Sequence, residues 1–104
     1  MPRTNPTLLQ NANVPSKGDW RPTEGFIRSV DACLVDGATS AVVDFYGSNA
    51  GHGIGTKIAT VTLSLTTPAD GTTFATEDQG WFFVRAELAS NAGALRSATA
   101  CVGA

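Results

Sequence analysis

Charge is scarce in this sequence. Asp, Glu, Lys and Arg make up 15% of its 104 residues, against about 25% in a typical globular domain. No basic stretch is longer than a single Lys or Arg, and the net charge is -2. A protein that tracks a phosphate backbone needs clustered cations, so direct nucleic-acid binding is not expected. Long apolar runs are missing too. Nothing approaches the ~20 apolar residues of a membrane span, and Met1-Pro2-Arg3-Thr4-Asn5-Pro6 has no apolar run behind it. No membrane association and no signal peptide are expected, which implies synthesis in a cytosol. There is one histidine, His52, and there are two cysteines, Cys33 and Cys101. That set cannot build a zinc site without other ligands. A disulfide is not expected in a cytosolic chain, and the cysteines read as small buried hydrophobes.

Catalytic constellations are equally lacking. The chain has no Gly-x-Ser-x-Gly turn. A nucleophile needs an adjacent base and a group to orient it, and His52 stands in a glycine loop without such neighbours. Asp70, Glu77 and Asp78 form a local acidic group but lack the alternate spacing of a calcium loop. The sequence therefore predicts no catalytic residue, no cofactor and no metal.

What the sequence does have is alternation. From Ala59 to Leu65, apolar and small polar residues exchange without a break, with Ala59, Val61, Leu63 and Leu65 on one side and Thr60, Thr62 and Ser64 on the other. Period two over that length marks a half-buried strand, and this one is expected at the centre of a sheet. The same grammar predicts strands over Thr7 to Val14, Gly25 to Val35, Thr39 to Gly47, Trp81 to Ala89 and Leu95 to Val102. Asp36-Gly37 and Asn91-Ala92-Gly93 are expected as hairpin turns between such strands, and Pro68 to Thr73 as the turn that ends the strand before it. Gly51-His52-Gly53-Ile54-Gly55 superficially looks like a phosphate-cradling loop, but a strand follows it instead of a helix. It is read as a connection. The whole is all-β: a single antiparallel sandwich or jelly-roll-like domain with an extended N-terminal arm. Residues 1–24 are expected as arm and loop, and residues 25–104 as the sandwich.

Four side chains are candidate interface residues. Trp20 stands alone in a polar loop, where it either folds over the edge of the core or anchors a partner. Trp81, Phe83 and Arg85 share one parity of the most aromatic strand with Glu87, and a cation–π contact of Arg85 with Phe83 or Trp81 is expected.

The segments Phe45-Tyr46-Gly47-Ser48-Asn49, Ile58 to Ser64 and Gly80 to Leu88, with the small-residue strand closing at Val102-Gly103, resemble small virion structural proteins of tailed bacteriophages. The resemblance covers roughly residues 40–104. It implies a non-enzymatic virion component made in the host cytoplasm, foremost a capsid decoration or cement protein. Such a protein would form a homo-oligomer, with a trimer favoured, and bind the major capsid protein or another virion protein. The alternative is a small tail, head-to-tail or fibre-associated β-sandwich module binding a carbohydrate or another virion protein, with Trp81 beside Arg85 and Glu87 as the platform if the ligand is a sugar.

Overall fold

The computed structural model describes residues 6–23, 26–74 and 80–102. Within them run β1 (Thr7–Ala12), β2 (Ser16–Lys17), β3 (Arg21–Pro22), β4 (Ile27–Leu34), β5 (Ser40–Ser48), β6 (Thr56–Ser64), β7 (Ala69–Thr73), β8 (Phe83–Ala92) and β9 (Leu95–Val102). One sheet has the order β1-β9-β4-β7. The other has the order β2-β8-β5-β6, with β3 continuing the β2 edge along β8. Every pairing is antiparallel. Among the described residues no helix is long and apolar enough to cross a membrane.

The pairings are nested. With β2 and β3 taken as one interrupted strand on β8, β1 pairs β9, β2/β3 pairs β8, β4 pairs β7 and β5 pairs β6. This is one long antiparallel hairpin closed by the β5–β6 loop and rolled until its members divide between two sheets. That is the jelly roll.

Alternation fills the space between the sheets. Val43, Phe45, Val61, Leu63, Val84, Ala86 and Leu88 from one sheet bury against Val30, Ala32, Leu34, Ala98, Ala100 and Val102 from the other. Strict alternation fails at bulges, because one extra residue turns every following side chain to the other face. The register slips between Ile27 and Ser29, so Ile27 is buried on the same side as Val30, not with Cys33 and Val35 as expected. A second slip between Cys33 and Leu34 lies opposite Leu95 and Ser97. Leu95 consequently turns into the core with Ala98, and Arg96 turns outward to Asp36, at 4.0 Å.

Further expectations change. Pro68 to Thr73, read as a turn, holds β7, which pairs with β4, and the turns at Asp36-Gly37 and Asn91-Ala92-Gly93 carry the chain between the sheets instead of closing hairpins. β6, the most regular strand in the sequence, lies at an edge and not at the centre of its sheet. Leu65, just beyond its end, is 67% exposed. The stretch read as arm and loop is also part of both sheets. β1 pairs with β9 and buries Leu8, while residues 16–22 run along β8, bridged by the Gly18 N–H to the Ala86 carbonyl at 2.8 Å. Residues 1–5 of the arm lie outside the described residues. The cysteines are free and half-buried. Cys33 faces Ser97 and Cys101 faces Ser29, a separation of about 13 Å along the sheet, too far for a disulfide.

A chain beginning at residue 16 should therefore behave as a core deletion and not as the loss of an arm. It removes β1 and Leu8 and bares the edge of β9. Urea denaturation should show a loss of at least about 2–5 kcal/mol, the cost of emptying one buried leucine site. Unchanged stability would mean that β1 contributes nothing to the fold.

Candidate functional site

The side chains of interest lie on the outer face of the β2-β8-β5-β6 sheet. Tyr46 on β5 is directly opposite Arg85 on β8. Directly opposed residues of an antiparallel pair share a face and stand about 5 Å apart. The guanidinium carbon of Arg85 accordingly lies 4.3 Å from the centroid of the Tyr46 ring, and Trp20 also reaches it, at 5.2 Å. Arg85 is only 4% exposed. Its Nη2 donates to the Ile54 carbonyl at 3.0 Å, and its Nη1 to Glu87 Oε1 at 3.4 Å. The expected cation–π partners, Phe83 and Trp81, are replaced by Tyr46 and Trp20. The reason is geometric: residues two apart on one strand share a face but stand nearly 7 Å apart, whereas a cross-strand neighbour is closer.

The Ile54 carbonyl arrives from the glycine loop. Gly51, Gly53 and Gly55 have φ of 72°, 77° and 78°, left-handed values that other residues adopt with difficulty. This explains their alternation in sequence: the loop doubles back over the outer face. Its first turn is fixed by Ser48 Oγ, which accepts from the N–H groups of Ala50 and Gly51 at 3.0 and 3.3 Å. Asn49 Oδ1 accepts the Phe82 N–H at 3.2 Å, tying the loop to the approach to β8. Below it, the Phe83 ring packs on Gly51 and the Trp20 ring on Gly55, where an added Cβ would come within 3.1 and 2.6 Å.

Beside this cluster, Asp44 is 8% exposed. It accepts from Thr60 Oγ1 at 2.7 Å, and Lys57 Nζ stands 3.5 Å from its other oxygen. No buried side-chain nitrogen or oxygen among the described residues lacks a partner. Nor does any group of three His, Cys, Asp or Glu among them form a metal-ligating cluster.

Trp81 belongs elsewhere. It is half-buried against the core, with its indole on Gly47, where it leaves no room for a Cβ. Its carbonyl accepts from the hydroxyl of the fully buried Thr23. The expected sugar platform of Trp81 beside Arg85 and Glu87 does not form, because the core face and the outer face separate them. Trp20 does act as a lid, but over the outer face of a sheet and not over the edge of the core. Sequence reasoning left Tyr46 and Ile54 out of the candidate set. The outward parity of Tyr46 was a usable signal, while nothing in the sequence marked the Ile54 carbonyl. Two large apolar side chains at this end face solvent, Ile54 at 73% exposure and Phe82 at 65%.

The class defined by these observations is a jelly-roll β-sandwich with a loop clamped onto one outer face. No protein-family model matches the chain, and no curated protein matches it. Among solved structures, its fold is similar to that of the SPBc2 prophage-derived protein YomS. The TM-score is 0.60 at 20% sequence identity, over 97% of this chain and 92% of that one. At that identity the likeness is one of fold.

Replacing Arg85 with Ala should leave the Ile54 carbonyl and Glu87 without their donor and Tyr46 and Trp20 without their cation. The expected loss is about 2–3 kcal/mol in urea denaturation. In a Trp81→Phe background, Trp20 fluorescence should shift red as the ring gains solvent.

Proposed function

We propose that this chain is a non-enzymatic structural component of a bacteriophage particle and that it decorates the head, bound to the major capsid protein. The observation that carries the reading is the jelly-roll fold it shares, over nearly the whole of both chains, with a prophage-derived protein. Two features of the chain support it. The buried charges of the outer face are already paired within the fold, an arrangement suited to a static scaffold. The clamped loop and the approach to β8 hold Ile54 and Phe82 in the open, as apolar anchors on a partner would be held. In this reading Trp20, Phe83 and Arg85 set the shape of the contact and Ile54 and Phe82 make it. The chain takes no cofactor, and its place is the virion.

The test is co-sedimentation of the purified protein with undecorated heads, and separately with isolated tails, of the phage or prophage that encodes it. Saturable binding to heads with a rise in their melting temperature is expected. Phe82→Ser and Ile54→Ser should weaken that binding about tenfold or more while leaving the melting temperature of the free protein within a few degrees. Binding to tails alone would move the protein to the tail apparatus, and binding to neither would overturn the proposal.

A further inference from the structure

Among the described residues the two sheets present four edges: β1, β7, β2/β3 and β6. An open edge is a row of unpaired backbone donors and acceptors, and folded proteins blunt such edges with prolines, charges, bulges or short strands. Three of these four are blunted. β1 is bent by a bulge at Leu8 and by Asn11 at φ 54°. The β2/β3 edge is broken into two pieces of two residues each, flanked by Pro15 and ending in Pro22. β7 has five residues and carries Asp70 and Gly71. β6 is different. It has nine residues, no proline, no glycine and a single charge, Lys57, near its start. Beyond the bulge at Ile58, the run Ala59-Thr60-Val61-Thr62-Leu63-Ser64 is regular and uncharged.

We infer that the free edge of β6 is a docking edge for the β6 of a second copy of this chain, joined antiparallel across a two-fold axis. The strand is its own complement. In an antiparallel pair, opposed residues share a face, so the axis must pass through a residue. If it passes through Val61, Thr60 meets Thr62 on the outer face and Ala59 meets Leu63 on the inner face. Ser64 is not available for pairing, because its N–H and C=O already bond to Thr67, so the axis through Val61 is the one the edge permits. There hydroxyl meets hydroxyl and apolar meets apolar, and no like charges are opposed. A partner strand rich in charge would gain nothing from an edge this neutral, which favours a second copy. The pairing joins two copies of the β2/β3-β8-β5-β6 sheet edge to edge and uses neither Ile54 nor Phe82. It is therefore independent of the capsid reading and survives that reading's failure. A trimer, by contrast, would need a different surface.

Analytical ultracentrifugation and hydrogen–deuterium exchange over a concentration series test it together. A monomer–dimer equilibrium is expected, with the alternate β6 amides gaining protection as dimer forms while those of β7 do not. Thr62→Lys, on a side chain that is exposed in the monomer, sets two lysines diagonally across the axis, within reach of one another. It should weaken association by about tenfold or more, whereas Thr73→Lys on β7 should not. Should Thr62→Lys fail to fold, Thr62→Glu and the wild-type exchange series carry the test. A dimer whose β6 amides stay unprotected, or a chain that remains monomeric at millimolar concentration, overturns the inference.

Discussion

The outer face of the β8–β5 sheet depends on one buried guanidinium. A charge as poorly solvated as Arg85 is costly unless it is paired and hydrogen-bonded. Here the compensation comes from four separate places in the chain: Tyr46 on β5, Glu87 on β8 itself, Trp20 from the link between β2 and β3 and the Ile54 carbonyl from the β5–β6 loop. Arginine suits the position because its planar fork can stack on two rings and still donate in its own plane. The consequence is a shape. The loop is drawn down over the sheet, the β2–β3 link is pinned beside it, and Ile54 and Phe82 stay exposed at that end.

The same dependence orders the fold's assembly in space. A jelly roll must carry its chain from one sheet to the other several times, and residues 13–15 make the first such crossing, from β1 to β2. The edge segment that follows, residues 16–23, pairs with β8 only slightly, two residues at a time. Trp20 on Arg85 and Thr23 on Trp81 give that segment two further points of attachment, one on each face of the sheet. The glycines at 51, 53 and 55 serve the loop in the same way, by permitting the backbone to turn back where a side chain would resist.

Much of the fold could be read from alternation. The strands around Val30, Val43, Val61, Val84 and Ala98 stand where period two places them, and all-β sandwich follows from turns spaced between short runs. What the sequence conceals is the bulge. Ile27 and Leu95 sit on the wrong parity for their strands, and only the neighbouring strand's register shows why they are buried. Edge or centre was concealed as well, since β6 alternates more cleanly than β5, the strand it flanks. For the site, Trp20 and Arg85 stood out by residue type, but their meeting is a product of topology. Cross-strand pairing chose Tyr46 over Phe83, and a backbone carbonyl, invisible in any sequence, completed the set.

The central claim is that Arg85 and Trp20 act together. A double-mutant cycle of Arg85→Met and Trp20→Leu, measured by urea denaturation, tests it most directly. The two substitutions should couple by about 1–2 kcal/mol, the range of a desolvated cation–π pair. Additive losses, with no coupling beyond error, would show that each residue serves the fold independently and that the guanidinium does not hold the lid.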